Sequence, residues 1–463
     1  MPVPEAQDRP CALQAEEGMR CLRLAEWLTA PPLSQVLFVT REGRELTRRD
    51  LQQAVAACLG ELRQRPATHC TLCFDNGFLF CAALLASLHA GCTPVLCGSL
   101  QPHPAAAGAR ERVLLTDQEG LGCPPLRLPP PGGTGAQEAG APALPPPSDQ
   151  ATLLLHTSGS TGEGQAVAKS VAQLDAEARL TCGLYGPRLA GLLLCSSVRP
   201  GHLYGLSFRI FLPMALGLPS AAELVGYSEQ LGAWPGRPLA LISSPAFLSR
   251  LDTALTPPAL RFVLSSGGQL EQAVVRRLQD WCGVAPDEIY GSTESGVVGF
   301  RHRSGGQELW RLPPGVRLSG SDEEPRLHAA HAPAPQGLLL SDRLRRHGDD
   351  CFELLGRRDR IVKIEDRRVS LTEVRTQLLA CSGVADCEVV VLQMPRRTCL
   401  GAVVVLSQED KGSRAGRRLA EELRTRLEAH CIPRHFVFTS AIPTDSLGKR
   451  PQALLKALFD AAI

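Results

Sequence analysis

With 463 residues, 44% of them hydrophobic, the chain is long enough to bury one large core and a second smaller one, so two domains are expected. Its 49 basic and 47 acidic residues nearly cancel, and no block of like charge suits a nucleic-acid or membrane arm, which leaves a small, near-neutral ligand as the better partner. No apolar run reaches the roughly 18 residues of a membrane span, and MPVPEAQDRPCALQAEEGMR at the N-terminus lacks the basic-then-apolar order of a secretory signal.

The first hundred residues alternate helix and strand signals. LRLAEWL near residue 22 and LTRRDLQQAVAACLGELRQR from Leu46 carry apolar residues at helical spacing, and TLCF from Thr71 reads as a short strand. GFLFCAALLASLHAG from Gly77 predicts an apolar helix ending at Gly91, and TPVLCG returns as a strand; this β-α-β pattern implies a parallel sheet covered by helices. From Cys123 to Ser148 the chain is dense in Pro, Gly and Ala and reads as a solvated insertion within the first domain. Ala151 to Leu155 then predicts a buried strand. LLLCSSV, ALISSP and RFVLSSGGQ predict further apolar strands ending in small hydroxyl residues, followed by a helix from Gln269 to Trp281 with Val274, Val275, Leu278 and Trp281 on its core face. After Arg360, Ser370 and Glu373 have capping-box spacing before VRTQLLA, CEVVVLQ and GAVVVLS read as strands, RRLAEELRTRLEAH as a helix and RHFVFTS as another strand. A small α+β domain follows from these elements. The 17 cysteines are scattered, and Cys70 and Cys73 make one CxxC, on a predicted strand; in a chain of this length without a secretory signal this predicts buried thiols in a reducing cytoplasm instead of disulfides or zinc ligands.

The stretch His156–Lys169, HTSGSTGEGQAVAK, concentrates groups that bind anions. Glycine lets backbone N–H groups crowd against a phosphate and hydroxyls add donors, so Thr157, Ser158, Gly159, Ser160, Thr161 and Gly162 suit a phosphate cradle. Standing alone, the same run serves equally well as a flexible turn. A Walker A loop is excluded: Gly159 and Gly164 have its spacing, but Gln165 and Ala166 stand where its Lys and Mg²⁺-binding hydroxyl belong. Ligands of open α/β sheets sit beyond the carboxyl ends of strands, which places Ser265, Ser266, Gly267 and Gly268 where a flat nucleobase can rest on backbone.

Taken together, these segments resemble the core motifs of the adenylate-forming superfamily, which contains acyl-CoA synthetases, adenylation domains and luciferases. TSGSTGEGQ is similar to the third motif, TSGSTGxPK, with Gly164 replacing Pro and Gln165 replacing Lys. SSVRPGHLYGLSF resembles the fourth, and YGSTE at Tyr290 resembles the intact fifth motif, YGxTE. LSDRLRRHGDDCFELLGRRDRIVKIEDRRVSLTEV is similar to the seventh and eighth, with Asp366 where the family usually has Gly, and IPTDSLGKRPQALLKALF to the tenth.

The resemblance implies an α/β fold with a large N-terminal domain, 1–358, of mixed and parallel sheets covered by helices, and a small mobile α+β domain, 359–463, pivoting at Asp359. It implies ATP and Mg²⁺ as cofactors. The glycine segment, Gly267, Gly268, Tyr290 and Gly291 would bind nucleotide, Asp342 would take the ribose hydroxyls, and Arg357 would contact ribose or phosphate. Thr293 would meet the α-phosphate, Glu294 would hold the metal, and Lys449 would enter the reacting centre. His202, Tyr204 and Gly205 would border the acid pocket, where the absence of an Asp argues against an amino acid. The acceptor implied is a phosphopantetheine thiol, on an acyl carrier protein or CoA. TSGSTGE, HLYGLSFR, SSPAFLSRL, SSGGQL and GRRDRIVKIEDRRVSL look most like the short acyl- or aryl-activating ligases of bacterial aryl-polyene clusters, which load an acyl carrier protein. Rival readings are a CoA ligase, an amino-acid adenylation enzyme, and a non-catalytic nucleotide-binding protein on the same fold. Asp366 bears on the thiol's approach and Gln165 on the pyrophosphate portion of ATP.

Overall fold

The computed structural model describes residues 20–65, 67–97, 112–121, 123–128, 146–156, 166–304, 309–358, 361–364, 367–394, 397–407, 414–444 and 450–460. Two sheets dominate. In the first, strands Arg112–Thr116, His69–Cys73, Thr93–Leu96 and Thr152–His156 run parallel in that order, and Ala166–Ser170 pairs antiparallel at the edge. The second has eleven strands, and its centre is the parallel run Asp287–Ser292, Leu260–Ser265, Leu239–Ser243, Leu193–Ser196. Antiparallel strands extend it on the Asp287–Ser292 side through Gly296–His302 and Trp310–Arg311 to the hairpin Asp342–His347 and Cys351–Arg357.

Helix Gly77–His89 is buried from Gly77 to Leu88, as its continuous apolar sequence requires, and shares a core with both sheets. It starts where Asn76 Oδ1 accepts from Leu79 N at 3.1 Å. Helix Arg48–Gln64 begins similarly, with Thr47 and Asp50 capping each other.

Several elements depart from the sequence reading. LRLAEWL forms a single 3₁₀ turn, Leu24–Glu26: Pro31 and Pro32 follow too soon for an α-helix to propagate, and its apolar spacing comes from separate tertiary contacts, such as Trp27 against Phe211 at 4.7 Å. Thr152–His156 is buried on one face only, through Leu153 and Leu155. The helix expected from Gln269 starts at Gln272 because Leu270 is drawn into the core and Glu271 is extended; of its four predicted core residues Val275 and Leu278 are buried, while Val274 and Trp281 are partly so. RRLAEELRTRLEAH is α-helical only through Arg424, within helix Ala415–Arg424, and its end enters a 3₁₀ turn, Ala429–Cys431. Residues 129–145 of the Pro-rich stretch lie outside the described residues, but its opening is not wholly solvated, since Leu126 and Leu128 pack against the main core.

Beyond residue 361 a two-stranded sheet, a three-stranded sheet and helices Leu371–Leu379, Ala415–Arg424 and Gln452–Asp460 form an α+β unit. Its two buried clusters draw every member from residues 364 to 459. Asp359 and Asp366 lie outside the described residues. No helix among the described residues is long and apolar enough to cross a membrane. Many of the cysteines are buried as small apolar side chains, and burial pushes the thiols of Cys58 and Cys195 up to about 12.

Candidate active site

The central parallel strands end side by side, and their last residues form a row of hydroxyls. Ser197 and Ser243 hydroxyls lie 2.8 Å apart, and Ser266 Oγ donates to Ile289 O at 2.8 Å. Gly267 and Gly268 are exposed immediately beyond this row, and Gly268 faces Pro245. The carboxyl ends of parallel strands are where open α/β sheets take ligands.

Strand Asp287–Ser292 delivers Tyr290 and Gly291 to the same end and then reverses into Gly296–His302. The reversal carries Thr293, half-buried, and Glu294, exposed. Ser292 and Ser295 staple it reciprocally: Ser292 N donates to Ser295 Oγ at 2.9 Å and Ser295 N to Ser292 Oγ at 3.1 Å. A single exposed carboxylate fits a magnesium ion delivered with a triphosphate, since Mg²⁺ is usually held by one or two carboxylates plus phosphate oxygens. No group of three or more His, Cys, Asp or Glu side chains able to hold a resident metal occurs among the described residues.

Tyr290 stands between two functions. Its ring packs on Trp310 and Phe352 with centroids 5.7 and 5.8 Å away, while its hydroxyl donates to Asp342 Oδ2 at 2.7 Å. Burial, then the charge of Asp342, pushes its phenol far above the usual range, so it stays a donor at every working pH. Asp342 pairs in register with exposed Arg357 across the hairpin. Tyr290 thus takes one of the roughly four acceptor positions that a carboxylate offers.

The HLYGLSF segment leads from strand Leu193–Ser196 into a helix that widens to π geometry over Leu206–Phe211, a distortion that recurs at functional sites. Tyr204 lies against Phe208, 5.2 Å between centroids, and its hydroxyl donates to Leu264 O at 3.0 Å, which ties this segment to strand Leu260–Ser265. Gly205 is required by packing: a Cβ there would lie 1.9 Å from Arg199 O. Gly205→Ala is therefore expected to displace the 199–202 backbone and to cost about 1–3 kcal/mol of stability, read as a lower denaturant midpoint. His202 is half-buried at the start of the turn.

Sequence reasoning missed two arginines here. Arg199 Nε donates to Asp75 Oδ1 at 2.7 Å, and the fully buried Arg209 donates to Asp75 O at 2.7 Å and Ala222 O at 3.0 Å. Arg209 sits in an otherwise apolar run, SFRIFLP, which was the available signal.

Thr157–Gly162, Gly164, Gln165 and Lys449 lie outside the described residues. The strands flanking the glycine segment, Thr152–His156 and Ala166–Ser170, are antiparallel neighbours. A strand thus follows the segment, where a Walker A loop would open a helix.

Comparison with known proteins shows what the chain as a whole is similar to. A family model described as AMP-binding enzyme matches residues 24–322. A 4-coumarate–CoA ligase of Rhodobacter capsulatus is 30% identical over 307 residues, covering 65% of this chain and 75% of the ligase. Phosphinothricin tripeptide synthetase PhsC of Streptomyces viridochromogenes is 30% identical over 251 residues, covering 45% of this chain but only 22% of the synthetase. Among solved structures, ATP-bound MatB from Rhodopseudomonas palustris is similar with a TM-score of 0.75 and 16% identity, over 95% of this chain and 99% of MatB. A benzoate CoA ligase from Burkholderia xenovorans is similar with a TM-score of 0.71 and 20% identity, over 94% and 99% of the two chains. At these identities the structural likeness speaks to the fold alone, and it bears out the expected α/β architecture with its α+β appendage.

Proposed function

The chain belongs to the AMP-binding enzyme family, and from that premise we propose that it activates a small aryl or acyl carboxylic acid as its adenylate and passes the acyl group to a phosphopantetheine thiol. The observation that supports this reading is the Tyr290–Asp342 bond, which ties the Asp342 carboxylate to the strand that leads into the Thr293–Glu294 turn. In the first half-reaction a carboxylate oxygen attacks the α-phosphorus of ATP, the bond to pyrophosphate breaks, and the acyl-adenylate remains. Glu294 is the residue that would hold Mg²⁺, which neutralises charge on the phosphates. Asp342 and Arg357 would fix the ribose, the 157–162 segment would cradle phosphate, and Lys449 would bridge the carboxylate and α-phosphate. In the second half-reaction the residues beyond Asp359 swing, Lys449 withdraws, and the thiol sulfur attacks the carbonyl; AMP leaves and the thiol proton passes to solvent.

Support for an acid without an α-ammonium comes from the ion pairs near the HLYGLSF segment. The Asp75 carboxylate that approaches it is already engaged by half-buried Arg199, and Arg209 adds a fully buried cation, so an ammonium would meet like charge. An acyl carrier protein is proposed as the acceptor on the likeness to aryl-polyene ligases; the similarity to a 4-coumarate–CoA ligase favours CoA as the second reading.

Offering a panel of aryl, acyl and amino acids with ATP, then both a carrier-protein thiol and CoA, tests these choices together. Expected is pyrophosphate release with aryl or acyl acids, none with amino acids, and faster thioester formation on the carrier protein. ATP binding without acid-dependent pyrophosphate release across the panel would mark a non-catalytic nucleotide-binding protein.

A further inference from the structure

Behind the Thr293–Glu294 turn lies a set of ionisable side chains that the proposed chemistry does not use. Lys169, Glu177 and His331 are 3, 4 and 3% exposed and come from three different parts of the chain: the edge strand Ala166–Ser170, the second turn of helix Val171–Leu189, and the turn near Ala332. Lys169 Nζ donates to the backbone oxygen of Glu294 at 2.6 Å. Glu177 Oε1 accepts from Val297 N at 2.8 Å, and Oε2 accepts from Ser207 Oγ at 2.9 Å. His331 Nε2 donates to Val297 O at 2.8 Å, so the turn is gripped on both sides. The fit is close enough to exclude a side chain at Gly296, whose Cβ would lie 2.7 Å from the His331 ring and 2.8 Å from Glu177 Oε1.

An ammonium in this setting is costly to bury. Burial lowers the pKa of Lys169, and the carboxylates of Glu177 and Glu294 work in the opposite direction. An apolar residue would pack a strand edge at lower cost, yet would leave the Glu294 carbonyl without this donor. Lys169 also lies only a few residues beyond the glycine segment, on the strand that follows it.

We propose that Lys169 is a positioning residue for Glu294: its ammonium, donating to the Glu294 carbonyl, fixes that peptide so that the carboxylate faces the metal of Mg·ATP. This rests on the reading that Glu294 holds that metal. A positioning role shifts the metal dependence of nucleotide binding, whereas a role in stability alone shifts only the melting temperature.

The test compares the full chain with Lys169→Met, and with Lys169→Met combined with Glu177→Gln, which removes both buried charges should the single variant fail to fold. Calorimetric ATP binding is titrated with Mg²⁺ in the absence of any acid, and hydrogen exchange is followed over residues 292–297. Expected are a roughly tenfold rise in the Mg²⁺ concentration giving half-maximal ATP binding, the scale of one charge-assisted hydrogen bond, and faster exchange over the turn. A folded variant with unchanged Mg²⁺ dependence overturns the proposal. If the unaltered protein binds Mg·ATP but shows no acid-dependent pyrophosphate exchange, the ligase reading falls while the calorimetric comparison still decides the role of Lys169.

Discussion

Lys449→Ala is expected to lower acid-dependent ATP–pyrophosphate exchange by about 10²- to 10³-fold, the usual scale for removing one group that stabilises developing charge. Negative charge gathers on the α-phosphoryl group and the departing pyrophosphate during adenylation, and a lone ammonium between the carboxylate and phosphate oxygens opposes it directly. The described chain resumes at Arg450. Arg450 forms a two-pronged pair with Asp386, at 2.9 and 2.6 Å, and also reaches Cys387 O at 3.3 Å, so Arg450 is anchored to strand Val384–Met394. Thioester formation from a supplied acyl-adenylate should survive the substitution, because in the proposed cycle the lysine has withdrawn by then. Measuring the two half-reactions separately checks both statements; exchange at the unaltered rate removes Lys449 from the reacting centre.

How far the sequence disclosed this architecture depended on how local each signal was. The run from His69 to Leu96 was legible as strand, helix and strand because its periods and its Asn76 and Gly91 boundaries lie within a few residues of each other. Trp27 and its neighbours were misread since tertiary packing of Leu24, Trp27 and Leu28 mimics helical spacing over a stretch too short to hold a helix. No local pattern announces that Val36–Val39 lies beside Ser220–Ala221 in the large sheet. The same division runs through the site. YGSTE was readable because its groups are contiguous, whereas the bond from Tyr290 to Asp342 spans 52 residues and joins strands that are not neighbours in the sheet. Lys169 and Glu177 were missed because neither is unusual by itself, although Glu177 falls on the buried stripe of Leu174, Ala178, Thr181 and Tyr185, where a carboxylate calls for a partner.

The strongest test of that long-range pairing is Asp342→Ala, for which a rise of roughly 100-fold in KM for ATP is expected. Two charge-assisted hydrogen bonds to a ribose are worth about 1.5–3 kcal/mol each, and some of that is recovered by water in a half-exposed site. Tyr290→Phe keeps the ring against Trp310 and Phe352 and removes only the 2.7 Å bond, so about a fivefold rise is expected, near 1 kcal/mol. The two effects should not add. With Asp342 gone the Tyr290 hydroxyl has lost the carboxylate it orients, and the double variant should match Asp342→Ala alone, leaving a coupling energy close to the whole Tyr290→Phe effect. Full additivity would mean that the tyrosine hydroxyl acts on ATP by a route that does not pass through Asp342. An unchanged KM for ATP in Asp342→Ala would take the ribose away from this hairpin and with it the nucleotide site built around strand Asp287–Ser292.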